Sequence, residues 1–281
     1  MRRLKLLSTI AILSIFLVYS ILPVFMLIIS SFKTEAEIRA IPYQWFPSKL
    51  TLFNYEFAFR TLPGGVPIEN FVFCSLFYST VSTAVLIFYG SLAGFIFAKF
   101  RSKLGNAIML LTVFIMFIPF ESYALNMDLI LRSYGLHNTL LGLVIIWFLN
   151  PFWVFFIRQA CMGIPSDLIE AAKIDGASTL RIYWDIVFPL LRPLLAVIAL
   201  FFFVWKWDDL LWPLLVIDSP RFWPLTLLLY SWKTDYVGWY YHQALPVAVI
   251  IVIPTIIVFF IFLKYFVRGA VLTAGLKGWR F

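Results

Sequence analysis

Long uncharged apolar runs alternate with short polar stretches along the chain, and this pattern predicts a protein built of membrane-spanning helices. A helix needs about 17 to 25 mainly apolar residues to cross a bilayer. Five runs are expected to span: 6–32, 70–98, 104–120, 136–157 and 243–263. The first run is too long for a signal peptide, and no small-x-small cleavage site follows it, so we expect it to stay as the first span. Pro151 is expected to bend the fourth.

A sixth span is expected around the uncharged run 193–205, which has thirteen residues and is too short to cross alone. It must be completed by residues 186–192 on one side or by residues 206–212 on the other. In the first case Arg192 reaches the cytoplasmic interface along its aliphatic stem. The sequence therefore predicts an all-α integral membrane protein with one transmembrane domain, whose six-span core covers about residues 6–264.

The polar stretches between the runs are expected to form the connections. Residues 33–69, rich in proline and glycine, predict an external loop, and residues 206–242 an external loop that is partly embedded in the membrane. Residues 121–133 are expected to be a short polar link. Residues 158–192 form a central loop, and residues 265–281 form a basic tail.

The distribution of charge predicts the orientation. Six spans place both termini on one side, which carries fourteen of the 22 Lys and Arg residues and four of the 14 acidic residues. Because Lys and Arg accumulate in cytoplasmic loops, the termini and the central loop are expected in the cytoplasm. The basic clusters are short and adjacent to spans, so anionic lipid, not nucleic acid, is the expected partner of the +8 net charge.

The composition argues for a membrane protein without catalytic or metal chemistry. The chain is 63% apolar and 13% charged, whereas soluble domains carry about 25% charged residues. No Gly-x4-Gly-Lys-Ser/Thr loop is present, so the chain binds no ATP by that route. His137 and His242 lack the spacing of a metal site and are expected to be solvated or interfacial. Cys74 and Cys161 lie in or beside separate apolar runs and are expected to pack as thiols.

Residues 165–193 form the longest charge-bearing stretch between strongly apolar runs, and they predict two short helices outside the bilayer. Ser166 or Asp167 is expected to cap the first helix, and Gly176 to end it with left-handed backbone. One face is mostly small and is formed by Leu168, Ala171, Ala172 and Asp175. Such a face lets another backbone approach closely.

The second of these helices is expected to begin at Ser178 and to end or kink at Phe188 and Pro189. Its predicted apolar face consists of Leu180, Tyr183, Trp184 and Val187. In the first helix, Glu170 and Lys173 are spaced to form an ion pair.

The spacing of this segment resembles the EAA loop of ABC importer permeases: Glu170-Ala-Ala, three residues, Gly176, nine residues, Ile186, one residue, then Phe188 and Pro189. The longer form, residues 170–177, is similar to that of the sugar-type permeases, which include the smaller membrane subunit of the maltose transporter. Phe188 stands where the family usually has Leu, and both side chains are bulky and apolar.

The resemblance implies that the loop is a coupling helix that docks into a groove on a cytoplasmic ATPase subunit. Glu170 would meet a basic partner there, and the small residues would allow close approach. The coupling residues that it implies are Glu170, Ala171, Ala172, Asp175, Gly176, Ile186 and Pro189.

Other stretches resemble the same family, so the likeness runs nearly from end to end. They are residues 31–35, 45–47, 53–55, 118–119, 135–139, 207–213, 265–269 and 273–278. Departures occur at Phe120 and residues 126–127, where the family often has proline, and at Asp208, where it usually has Asn. These departures cluster on the predicted external side and bear on the choice of substrate.

The resemblance implies the type I ABC importer architecture in a prokaryotic inner membrane. A second permease subunit would complete the translocation path, two ATPase subunits would bind ATP and Mg, and an external solute-binding protein would deliver a sugar. The chain itself is then a transport subunit that binds no cofactor, and it is not an enzyme. The tail, residues 265–281, is expected to touch the ATPases.

Candidate external or pathway contacts are Trp207, Asp208, Asp209 and Trp212. The two carboxylates are either a solvated helix end or a polar wall of the path. The aromatic residues of 205–241 either stack on sugar rings or form an interfacial belt. In the second span the Gly90-x3-Gly94 pair indicates either close helix packing or a pathway lining.

Other functions remain open at this point. The same kind of permease can carry a polyol or a glycerophosphate. A proton-coupled carrier needs buried ionisable residues or inverted repeats, and neither is evident. A polytopic membrane enzyme needs a dense polar site within the spans, and the sequence offers none.

Overall fold

The chain was analysed as a computed structural model. It describes residues 2–100, 102–148, 150–232 and 241–276, and for residues 2–5, 241–243 and 264–276 it describes the backbone alone. Every regular element in these residues is helical, which confirms the all-α prediction.

The described residues fall into two compact units, Met1–Ile68 with Leu228–Pro254, and Glu69–Leu227 with Thr255–Phe281. The helices are α1 (Arg2–Ser31), α2 (Glu35–Ile38), α3 (Phe53–Arg60), α4 (Ile68–Val85), α5 (Ser91–Lys99), α6 (Lys103–Met116), α7 (Glu121–Ser133), α8 (Leu140–Ile145), α9 (Pro151–Met162), α10 (Ser166–Ile174), α11 (Thr179–Ile182), α12 (Phe188–Trp207), α13 (Leu211–Val216), α14 (Leu225–Ser231) and α15 (Tyr241–Leu276). Widened π-helical turns, Leu86–Gly90 and Tyr183–Val187, join α4 to α5 and α11 to α12.

Among the described residues, four helical segments are long and apolar enough to cross a membrane: Leu6–Ser31, Ile68–Lys99, Thr179–Trp207 and Ala244–Leu263. They correspond to the first, second, fifth and last predicted spans. The number rises to five if α6 and α7, which bend by 113° at their junction, form one broken span.

The prediction of a short polar link at residues 121–133 is wrong, because these residues form α7. Ala124, Asp128 and Leu131 are its buried positions, and their spacing marks one helix face. Its polar side chains, such as Glu121 and Asn126, lie on the exposed side. Apolar side chains such as Leu125 and Leu129 are exposed as well, so this mixed composition resembles that of a loop, and only the spacing of the buried residues distinguishes the two.

The fourth predicted span is interrupted, not bent. The chain leaves the helical conformation between α8 and α9, and Asn150 caps the new helix by accepting a hydrogen bond from the backbone N–H of Trp153 at 3.4 Å. Pro151 follows at the first helical position, where a missing N–H costs no hydrogen bond.

The fifth span is completed on the side of residues 186–192 and continues back to Thr179. The prediction that the helix ends at Phe188 and Pro189 is therefore wrong, whereas a kink there stays a prediction. Phe188 donates its N–H to the carbonyl of Tyr183, five residues back, in the widened turn. This turn places Pro189 in the first turn of α12, where proline is tolerated.

Close packing of α5 against α9 organises the second unit and depends on Gly94. A Cβ at Gly94 would lie 2.8 Å from Ile157 Cγ2 and 3.0 Å from the backbone nitrogen of Arg158. Ser75, Ser79 and Ser82 on α4 are also buried. The small residues of the second span therefore serve helix packing, as one of the two sequence interpretations had it.

The first unit contains a compact polar corner after α1. Thr34 and Glu37 form a reciprocal capping box at the start of α2. Asn54 donates to the carbonyls of Ser31 at 2.9 Å and Lys33 at 2.7 Å. These bonds satisfy carbonyl groups at and just after the end of α1 and fix the segment that follows it.

Candidate functional site

The predicted coupling segment forms a short exposed helix, α10, followed by a tight turn. Pro165 occupies the N-cap position without a side-chain hydrogen bond, so the expected caps Ser166 and Asp167 are wrong. Asp175 ends the helix, and Gly176 follows with φ of +79°. That left-handed conformation is the one predicted, and it strains any residue that carries a Cβ.

One face of α10 is anchored and the opposite face is free. Ile169 is buried at 4% exposure, whereas Leu168 is 47% and Ile174 is 87% exposed. Glu170 and Ala171 are also exposed, and Ala172 is half-buried. Within the described part of the chain, the small face expected from the sequence is therefore uncovered, so it is available to a partner.

Basic side chains connect α10 and the turn before it to the C-terminal end of α5. Lys99 donates its Nζ to the carbonyl of Ile164 at 2.5 Å. Lys173 places its Nζ 5.2 Å from the ring centroid of Phe100. The predicted Glu170–Lys173 ion pair is therefore absent: Lys173 lies over an aromatic ring, and Glu170 has no hydrogen bond or ion pair with any residue that the structure describes.

Ile186 and Pro189 lie where the coupling segment enters the fifth span. Ile186 is half-buried within the π-helical turn. In the same turn Tyr183 is buried, and its hydroxyl lies 2.6 Å from Ser91 Oγ at the other π-helical turn. The predicted apolar face is only partly correct, because Leu180 and Trp184 remain 58% and 41% exposed.

The other candidate cluster, at the end of α12, is built around a buried cation. Lys206 is 1% exposed and pairs with Asp209 at 2.7 Å. The Tyr78 hydroxyl donates to the same Asp209 oxygen at 2.7 Å. The Lys206 ammonium also lies 3.3 Å and 4.0 Å from the ring centroids of Trp147 and Trp205. Burial of a charge is tolerated here because a carboxylate and two aromatic faces surround it.

The four predicted contact residues divide between surface and interior. Asp208 is exposed, whereas Asp209 is held in the pair with Lys206. Trp207 and Trp212 are 2% and 0% exposed. Trp212 donates its indole N–H to the carbonyl of Leu143 at 3.2 Å. In this structure both indoles pack inside the second unit and do not face an opening.

Sequence reasoning missed a second polar cluster around His137. Its Nδ1 lies 2.7 Å from Asp128 and its Nε2 lies 2.8 Å from Asp218. Arg132 pairs with Asp128 at 2.7 Å. The expectation of a solvated histidine is wrong, since the ring is 12% exposed and bridges two carboxylates, whereas an interfacial position stays a prediction. The Asp128–Arg132 spacing was a usable local signal, but Asp218 is distant in sequence.

The remaining predictions concern other parts of the chain. The side chain of His242 and those of the tail, residues 265–281, lie outside the described residues, as do residues 233–240 of the predicted 206–242 loop. Cys74 and Cys161 are buried free thiols, as predicted.

Comparisons with known proteins agree with this architecture. A family model described as binding-protein-dependent transport system inner membrane component matches residues 90–271, which include α10. The arabinooligosaccharides transport system permease protein of Bacillus subtilis is 30% identical over 260 residues, which are 91% of this chain and 90% of that protein. The polygalacturonan/rhamnogalacturonan transport system permease protein of the same species is 29% identical over 94% of both chains.

A solved structure shares the fold. It belongs to a bacterial ABC transporter involved in the import of the acidic polysaccharide alginate, and it superposes with a TM-score of 0.75 over 94% of this chain and 97% of that one. Its sequence identity is 24%.

Proposed function

The chain belongs to the family of binding-protein-dependent transport system inner membrane components, and from this membership we propose that it is the permease subunit of an ATP-driven importer for a sugar or an oligosaccharide. The family fixes the class of protein: a multi-pass transport subunit of the inner membrane, with ATP hydrolysis assigned to a separate chain. The sugar substrate is supported by relatives whose names specify arabinooligosaccharides and polygalacturonan/rhamnogalacturonan.

The exposed face of α10 is the observation that carries the coupling role. Leu168 and Ile174 are large apolar side chains held in the open on a helix fixed from behind by Ile169. Exposed apolar surface of this kind marks a contact site. We assign it to a groove on the ATPase subunit, with Glu170 facing a basic side chain and Gly176 supplying the left-handed turn that ends the helix.

The finer architecture is part of the proposal. We propose six spans in one transmembrane domain, with α6 and α7 as a broken third span and α8 and α9 as a broken fourth. Both termini then lie in the cytoplasm. Residues 6–23 of α1 are all exposed, which supports a surface for lipid or for a second permease subunit. Two ATPase subunits and an external solute-binding protein complete the importer, and the tail, residues 265–281, touches the ATPases.

The test is sugar uptake into proteoliposomes that contain this chain, its partner permease, the ATPases and the solute-binding protein. We expect uptake to require ATP and to persist when the proton gradient is collapsed. Glu170→Lys should abolish uptake while the complex still inserts, because it places a cation against a basic partner. Normal uptake by this variant would remove the coupling assignment.

Gly176 provides a matched pair of variants. A Cβ there meets no atom within 4 Å, so any effect comes from the backbone conformation. Gly176→Val should cost about 1–2 kcal/mol and uncouple ATP hydrolysis from transport. Gly176→Asn should retain coupling, since asparagine tolerates left-handed backbone. Equal behaviour of the two variants would contradict this role.

One observation favours a second candidate, a proton-coupled carrier. The Lys206–Asp209 pair is a buried ionisable site of the kind that such carriers use. Collapse of the proton gradient distinguishes the two functions: loss of uptake with ATP still present would favour the carrier. A polyol or a glycerophosphate in place of the sugar would be recognised by competition in the same assay.

A further inference from the structure

Two interrupted helices lie side by side in the second unit and leave a cavity of about 440 Å³ between them. One interruption separates α6 from α7, and the other separates α8 from α9. A neighbouring cavity of about 340 Å³ shares Phe120, Tyr123, Trp147 and Asn150 with it. Small-molecule sites have volumes of about 300–1,000 Å³, and discontinuous helices are where transporters place their substrates.

Aromatic rings line one side of the cavity and are held in place from behind. Trp147 and Trp205 meet at 5.4 Å between ring centroids, and Phe120 lies 5.1 Å from Trp147. Lys206, tied to Asp209, contacts both indoles from within the unit. Trp205 keeps 46% of its surface exposed. The wall is therefore a platform of packed aromatic rings in which Trp205 stays partly exposed, and such a platform suits the apolar face of a pyranose or furanose ring.

Hydrogen-bonding groups face the same space. Glu121 and Tyr123 have no hydrogen bond or ion pair with any described residue. Asn150 uses its Oδ1 to cap α9, which leaves its amide N–H groups free. An unpaired carboxylate at the break of a spanning segment needs water or a polar ligand, because a lipid chain leaves it unsatisfied.

We propose that this cavity is a sugar subsite that prefers neutral glycosyl units. Glu121 is the one charged side chain among its described lining residues. A carboxylate accepts hydrogen bonds from sugar hydroxyls, and it repels the carboxylate of a uronic acid. The inference rests on the proposed function and adds to it the position of a substrate site and its charge preference. Trp205 supplies the stacking face, Glu121 and Asn150 bind hydroxyls, and Lys206 is a positioning residue.

The test is direct binding to the complete transporter in lipid nanodiscs, without the solute-binding protein. Radiolabelled raffinose, maltotriose and arabinotriose are the neutral probes, and trigalacturonate is an acidic probe of the same length. We expect at least one neutral trisaccharide to bind, and trigalacturonate to bind about tenfold more weakly or worse, a difference of about 1.4 kcal/mol. No binding of any neutral probe, or equal binding of the acidic one, would overturn the proposal.

Variants locate the binding in this cavity. Trp205→Ala should raise the Kd of the neutral sugar about tenfold. Glu121→Gln, which keeps the shape of the side chain, should reduce the discrimination against trigalacturonate. The controls are Trp45→Ala and Glu56→Gln, which change exposed residues of the first unit and should bind as wild type. Wild-type binding by both cavity variants would show that the sugar lies elsewhere or that lipid fills the cavity, and would overturn the proposal.

The outcome separates this inference from the proposed function. ATP-dependent uptake that persists in wild type, with cavity variants that bind as wild type, refutes the subsite alone. Wild-type transporter that takes up no sugar under ATP refutes the proposed function itself.

Discussion

At the scale of single residues, the burial of Lys206 shows how a cation is kept inside a span. Its partners come from three places: Asp209 lies three residues on, whereas Tyr78 belongs to α4 and Trp147 to the link between α8 and α9. The sequence predicted a solvated helix end or a polar wall of the path at the neighbouring carboxylates Asp208 and Asp209. The i, i+3 carboxylate was visible, but the aromatic partners could not be inferred because only the fold brings them together.

Removal of one member of the pair should be costly. Asp209→Asn leaves an uncompensated buried ammonium and should destabilise the protein by about 3–5 kcal/mol, as measured by thermal unfolding in detergent. Asp208→Asn, at the exposed neighbour, should change stability by less than about 0.5 kcal/mol.

The double variant Lys206→Met with Asp209→Asn tests the reason for that loss. It removes both charges, so it should recover much of the stability. A double variant no more stable than Asp209→Asn alone would mean that charge burial is not the cause.

Glu37 predicts a pH dependence in the segment that follows α1. Hydrogen bonds from the Ser48 side chain, from the Ser48 backbone N–H at 2.8 Å and from the Thr34 backbone N–H at 3.0 Å lower its pKa from 4.5 to about 2. Because the folded pKa is the lower one, the stabilisation is complete above pH 4.5 and is lost as the pH falls to about 2. The rate of limited proteolysis in this segment should rise as the pH falls through this range. In Glu37→Gln the rate should depend much less on pH.

At the scale of elements, the long apolar helices were predicted well and the interrupted ones were not. The runs at 70–98 and 243–263 became helices Ile68–Lys99 and Ala244–Leu263 within a few residues. The interruptions near Pro119 and Pro151 were harder, because a proline in an apolar run is compatible with a bend, a break or an uninterrupted helix. Pro246 and Pro254 show the last outcome, since α15 continues through both.

The contact between α5 and α9 gives an element-scale prediction. Gly94→Ala places a methyl 2.8 Å from Ile157 and should destabilise the protein by about 1–3 kcal/mol. Gly90→Ala is the control, because its Cβ would lie 3.5 Å from Leu86, an ordinary contact. Thermal unfolding should show that Gly94→Ala is less stable than Gly90→Ala. An equal loss of stability in the two variants would argue against close packing at Gly94.

At the scale of the whole molecule, the family could be read from one spaced motif, whereas the substrate could not. The Glu-Ala-Ala segment is local, so its pattern survives in the sequence. The cavity that we assign to the sugar combines residues of α7, α9 and α12 with the α8–α9 link, and no single stretch displays it. The polar residues of that cavity belong to no recognisable sequence motif, and only their positions in the fold mark them as candidates for binding.

The proposed topology is testable by cysteine labelling. Cys74 and Cys161 are buried and can be replaced by Ala to clear the background. With six spans, Lys49→Cys should react with an impermeant maleimide in intact cells, and Asp175→Cys only after permeabilisation. Reaction of both from outside would exclude the proposed orientation.

The helix that runs without interruption from Thr179 to Trp207 has a mechanical consequence. With a rise of about 1.5 Å per residue, its 29 residues form a rod about 42 Å long. One end adjoins the turn after α10, and the other carries Lys206 and its aromatic neighbours. Because the helix is continuous, a movement of the end beside α10 would be transmitted to the end that carries Lys206. The coupling segment and the proposed sugar subsite would then be connected by one helix and not by a series of loops.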